Sequence, residues 1–218
     1  MLQSIKADVM LNSPLQYLLV FFLVGITYFL TSTPSFILIF AISSFIITLF
    51  YYDRKKHTES FFVSLPQSKL AIVASRYVSF FLISLSLIIF QTGLGHLFYF
   101  FDYQAIYVYG WKDVCILLSM SVSIAAIIIP IYFAIRSFLF STVVVIVLFF
   151  IGFYAFLEMS TYAQPIDGFI QLNNLEPSII ILHYIPTHPI LILSSVNIIL
   201  LIASIYLSNW LFTRKDIR

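Results

Sequence analysis

The chain has 218 residues, of which 61% are hydrophobic and 9% charged, with a formal net charge of +2 and a mean hydropathy of +1.05. Soluble domains carry roughly 25% charged residues, so a water-soluble globule is excluded. Apolar runs approaching 20 residues, without alternation, call for membrane-spanning helices rather than a barrel, because hydrocarbon offers no partner to an unpaired backbone group.

Residues 1–14 set Leu2, Ile5, Val9 and Met10 against Gln3, Lys6, Asp8 and Asn12 at helical spacing and stop before Pro14. That pattern predicts a short interfacial helix, with a frayed polar terminus as the alternative. Six apolar stretches follow: Leu15 to Thr31, Phe36 to Tyr52, Leu70 to Phe101, Val114 to Ile135, Thr142 to Phe156 and Ile190 to Phe212. The first is no signal peptide, since it runs to Thr31 without a small-residue cleavage pattern. Ser32-Thr33-Pro34-Ser35 then allows only a tight hairpin into the second.

The connection from Asp53 to Lys69 opens with a charged block and continues as Thr58-Glu59-Ser60-Phe61-Phe62-Val63-Ser64-Leu65-Pro66-Gln67-Ser68. Phe61, Phe62 and Leu65 share one side of a short helix that Pro66 ends, a shape suited to resting on lipid or docking in a partner's groove. The third span exceeds the hydrocarbon thickness and must tilt or project. It carries Arg76 at the boundary, expected to snorkel toward headgroups, and Gln91 and His96 beside Gly93 and Gly95. In the fourth, Cys115, Ser119, Ser123 and Ala126 form a face of small residues before Pro130, fit for helix contact in lipid or for lining a polar path. Asn197 adds a polar group to the sixth span. Gln91, His96, Ser119, Ser123 and Asn197 are therefore candidate pathway or helix-packing residues. Between spans five and six, residues 157–189 are too apolar for a solvated linker and too rich in proline for a full crossing, which predicts short outer helices.

Alternating the sides of the spans places Lys6, Arg54, Lys55, Lys56, Lys69, Arg76, Arg136, Arg214, Lys215 and Arg218 on one face and Lys112 alone on the other. With ten of the 11 basic residues on one side, the positive-inside bias predicts both termini in the cytoplasm of a multi-pass cell-membrane protein. The basic residues are thereby explained by topology, and no nucleic-acid partner is expected. Tyr51, Tyr52, Tyr99, Trp111, Tyr132 and Trp210 fall near span ends, where amphipathic rings favour the headgroup layer.

Nothing in the chain reads as a catalytic apparatus. Its acids stay at the span edges, there is no Gly-x-Ser-x-Gly or His-Glu-x-x-His, and Gly25, Gly93, Gly95, Gly110, Gly152 and Gly168 build no phosphate-cradling loop. His183 and His188 lack a third ligand for a metal, and the lone Cys115 forms no internal disulfide.

The stretch Glu59-Ser60-Phe61-Phe62-Val63-Ser64-Leu65-Pro66-Gln67-Ser68-Lys69, with Ile72-Val73 and Arg76-Tyr77, resembles the "sLPxSr…iv…kY" segment of ABC-2 exporter permeases, and Thr213-Arg214-Lys215-Asp216 loosely matches their basic tail. The resemblance implies an all-α membrane fold of the type V exporter kind: six transmembrane helices in one domain over 1–218, an N-terminal interfacial helix, a cytoplasmic coupling loop at 53–69 and short outer helices. It also implies that Glu59, Phe61, Phe62, Leu65, Pro66 and Lys69 meet a separate ATPase. Two such subunits would bind ATP and Mg, while this chain binds no cofactor and joins a second permease copy or paralogue in the bilayer. The compact permeases of Gram-positive exporters for amphipathic peptides, including phenol-soluble-modulin exporters, look most similar. A six-span substrate-binding component of an energy-coupling-factor importer is the competing reading, and a non-transporting membrane scaffold or immunity protein is a third.

Overall fold

The computed structural model describes residues 14–30, 34–55, 68–101, 108–163, 181, 184–185 and 187–215. These form six helices: α1 Pro14–Leu30, α2 Pro34–Lys55, α3 Lys69–Phe100, α4 Trp111–Ala134, α5 Phe138–Ala163 and α6 Pro189–Lys215. The expected interfacial helix at the N-terminus falls outside the described residues, as does most of the segment between α5 and α6.

Local chemistry sets the helix starts. Pro14, Pro34 and Pro189 each stand at the first helical position, where a missing N–H costs nothing and the fixed φ suits the helix. Ser68 caps α3, its hydroxyl accepting the Ala71 N–H at 3.3 Å. Asp113 in the first turn of α4 accepts the Gly110 N–H at 2.8 Å. The expected spans and the helices coincide closely, with one difference. α5 runs from Phe138 to Ala163 rather than from Thr142 to Phe156, so Glu158 and its neighbours belong to a helix and not to the outer loop. The start gains the apolar Phe138-Leu139-Phe140, and at the other end Glu158, Ser160 and Thr161 still bond their backbone internally, so helix formation continues past the hydropathy boundary.

Four of the described helices, α3 to α6, are long and apolar enough to cross a membrane, and α1 carries a shorter apolar stretch at Tyr17–Ile26. At 1.5 Å per residue the 32 residues of α3 extend about 48 Å, well beyond a hydrocarbon core of about 30 Å. Leu38, Ile42, Ile46, Val73, Leu87, Ile88, Leu117 and Ile129 close the centre of the bundle between α2, α3 and α4. α4 and α6 share the most extensive helix interface, and α6 also lies along α3. α1 lies on α2 and α3, with Tyr17 stacked on Phe45 and Phe21 edge-on to Phe90. The bundle has a basic end, where the last turns of α2, α4 and α6 meet the first turns of α3 and α5, carrying Arg54, Lys55, Lys69, Arg136 and Arg214.

Candidate functional site

Residues Glu59, Phe61, Phe62, Leu65 and Pro66 lie outside the described residues; Lys69, the sixth expected coupling residue, opens α3 directly after the Ser68 cap. What the structure does describe is the pair of helix ends that the segment joins. Both are fastened to their surroundings.

Asp53, two residues before the end of α2, and Arg76, two turns into α3, form an ion pair of 2.6 Å between Oδ2 and Nη2, each only 3% exposed. Arg76 therefore does not snorkel toward headgroups as its position in the sequence suggests. A carboxylate on the neighbouring antiparallel helix offers its guanidinium an inward partner, and breaking such a buried pair from one side costs about 3–5 kcal/mol. Beside it, Arg54 Nη2 donates to the carbonyls of Tyr132 at 3.1 Å and Ile135 at 2.6 Å. These oxygens sit at the C-terminal end of α4, where backbone carbonyls lack helical partners and the helix dipole favours a cation.

A series of ring contacts reinforces this corner. Tyr51 lies 5.5 Å from Phe138, Phe138 5.9 Å from Tyr132, and Tyr132 is stacked at 4.6 Å and 7° on Phe50. Phe50 then meets Phe133 edge-on at 5.6 Å, and Phe133 meets Phe212 at 5.5 Å. The series passes from α2 through α5 and α4 to α6, and each such pair contributes about 0.5–1.5 kcal/mol beyond its buried area. Tyr132, expected in the headgroup layer, is 1% exposed, and its hydroxyl meets Thr142 Oγ1 at 3.1 Å. The hydroxyl's need for a partner is met by α5, so the ring stays inside. Tyr51, Tyr99, Trp111 and Trp210 are exposed near helix ends, with Arg214 lying 3.9 Å over the Trp210 ring.

Deeper in the bundle, Pro130 has no N–H to offer the Ala126 carbonyl one turn back. Ser204 of α6 replaces it, donating to that carbonyl at 2.7 Å. The Tyr77 hydroxyl of α3 completes the group, lying 2.6 Å from Ser204 Oγ and 2.9 Å from Ser208 Oγ. Sequence reasoning placed Arg76 at the headgroups and Tyr77 only in the family motif, and it gave Asp53, Ser204 and Ser208 no interior role. Two signals were available: opposite charges at matching depth on either side of one loop, and a mid-span proline that orphans a known carbonyl.

Of the five expected pathway or packing residues, Ser119, Ser123 and Asn197 meet at one place. Ser123 donates to Asn197 Oδ1 at 2.6 Å across the α4–α6 interface, and to the Ser119 carbonyl at 3.2 Å. Gln91 is enclosed on α3, while His96, farther along the same helix, is exposed. Hydroxyl and amide groups of this sort act as interhelical fastenings in lipid, worth about 0.6–2 kcal/mol each. Among the described residues no three His, Cys, Asp or Glu side chains gather into a metal-holding group.

The family model described as "ABC-2 family transporter protein" matches residues 5–213, nearly the whole chain. No curated protein and no solved structure matches it. The match embraces all six helices and the loop between α2 and α3, and this multi-pass membrane chain belongs to the ABC-2 family of transporter permeases.

Proposed function

We propose that the chain is the permease half of an ABC exporter, moved by a separate ATPase that grips the segment between α2 and α3. The observation that carries this reading is the position of that segment. It leaves α2 at Lys55 and enters α3 at Lys69 on the basic end of the bundle, where Asp53 and Arg76 fasten its two helix ends to each other and Arg54 fastens the α2 end to α4. A Phe-Phe-x-x-Leu anchor, Phe61-Phe62 with Leu65, rimmed by Glu59 and Lys69, supplies the buried aromatic contacts that dominate interface energies. Pro66 cannot continue a helix from this anchor into α3 without losing a backbone bond.

In this reading the basic end faces the cytoplasm, with both termini, and ATP and Mg reside on two ATPase subunits, since the chain has no phosphate loop of its own. A second permease, identical or paralogous, completes the path. Closure of the ATPase pair on ATP displaces the two coupling segments and rocks the permeases between access states. Amphipathic peptides or other hydrophobic molecules are the cargo that the resemblance to compact Gram-positive peptide-exporter permeases implies. The family match lends nothing to the importer reading.

The double variant Phe61→Ala/Phe62→Ala tests the docking directly: the protein inserts and folds, but an affinity-tagged sample no longer captures the ATPase. Undiminished capture would remove the claim. In a Cys115→Ala background, an impermeant maleimide applied to intact cells labels a cysteine at position 112 and spares one at position 55; the opposite pattern inverts the orientation.

A further inference from the structure

Asp53 and Arg54 are consecutive on α2, so their side chains leave the helix about 100° apart. That separation lets one helix end hold two neighbours at once: Asp53 binds Arg76 of α3, and Arg54 binds the terminal carbonyls of α4. Apolar contacts are non-directional and allow helices to slide. Charge-assisted hydrogen bonds of 2.6 Å fix orientation as well as distance, and within a low-dielectric corner they resist shear.

The gripped part of α4 begins just past Pro130, where the backbone bond between residues 126 and 130 is missing and a side chain of α6 holds the free carbonyl instead. The helix therefore has a soft point between its central part, fastened to α6 by Ser123–Asn197 and Ser204, and its end, fastened to α2 by Arg54. Residues 135–137 follow at once and lead into α5.

We infer that Asp53, Arg54 and Arg76 are positioning residues that join the ends of α2, α3 and α4 into one lever, which bends α4 about Pro130 when residues 56–67 are displaced. The inference rests on the proposed coupling of 56–67 to an ATPase. Arg54 is the output arm, and the Asp53–Arg76 pair keeps the two ends of the loop from moving independently. Tyr132, stacked on Phe50 and in contact with Phe138, passes the same displacement to α5.

The test is hydrogen–deuterium exchange on the permease–ATPase complex in nanodiscs, with and without ADP–vanadate trapping, followed in peptides covering 56–67 and 131–137. In the native complex both peptides respond to trapping. Arg54→Gln, which leaves the Asp53–Arg76 pair intact, still captures the ATPase and responds at 56–67, but loses the response at 131–137. Arg76→Gln loses it as well, and the exchanged pair Asp53→Arg/Arg76→Asp restores it. Should Arg76→Gln fail to assemble, Arg54→Gln decides alone. A response at 131–137 in Arg54→Gln equal to the native one overturns the lever while leaving ATPase coupling intact. Absence of any response at 56–67 in the native complex overturns the coupling reading and the lever with it.

Discussion

α5 and α6 are almost equally apolar along their central stretches, and each buries only 11% of its most apolar stretch, yet they are attached to the bundle by different means. α6 turns Asn197, Ser204, Ser208 and Phe212 inward along one stripe, three of the four polar, and each of those three hydrogen-bonds to α3 or α4. α5 buries Ser141 and Val145 near its start, where Phe138 and Thr142 meet Tyr51 and Tyr132, and touches α2 through Phe149 on Phe40; farther along, an apolar cavity of about 250 Å³ opens between it and α2 and α4. Lipid tails are as apolar as leucine, so greasiness cannot hold a helix against its neighbours in a bilayer. What holds α6 is the short polar stripe along its length, whereas α5 carries its hydroxyl contact with α4 near its start, from Thr142 to Tyr132.

The contrast makes graded predictions for reversible unfolding in mixed micelles. Ser204→Ala strands the Ala126 carbonyl and removes one partner of Tyr77, and should cost about 1–3 kcal/mol. Asn197→Ala should follow, at about 0.6–2 kcal/mol. The Pro130→Ala replacement returns an N–H to position 130, so in that background Ser204→Ala should cost measurably less, a coupling visible in a double-mutant cycle. Equal costs in both backgrounds would show that Ser204 does not serve the proline gap. On α5, Thr142→Val removes the contact with Tyr132 and the hydroxyl's bond to the Phe138 carbonyl of its own helix, and should cost about 0.6 kcal/mol; an effect matching that of Ser204→Ala would erase the distinction between the helices. Smallest of all, Ile199→Ala on α6 and Ile151→Ala on α5, exposed by 67% and 59%, should each shift stability by no more than about 0.5 kcal/mol. A larger shift at one of them would mark a face covered by another chain.

The helices themselves were legible because hydropathy is a one-dimensional property, and here it coincides with proline at three helix starts. Orientation around each helix was not. Arg76 and Tyr132 read as boundary residues by position, but their facing is decided by Asp53 and Phe50 on α2, which no single segment reveals. The small-residue face of α4 was visible as a pattern, whereas of its partner stripe on α6 only Asn197 stood out, Ser204 and Ser208 being dispersed among isoleucines and leucines. Ser123 and Asn197 were both singled out, and only the fold brings them together. Of the coupling segment the sequence tells more than the fold, since just Lys69 among its six expected residues is described.

The most direct measurement is a density map of the chain purified with its ATPase. The account predicts residues 56–67 seated in a groove of the ATPase, with the Phe61 and Phe62 rings enclosed and the Asp53–Arg76 pair intact above them. An ATPase bound elsewhere on the permease, with those two rings facing solvent, would contradict it.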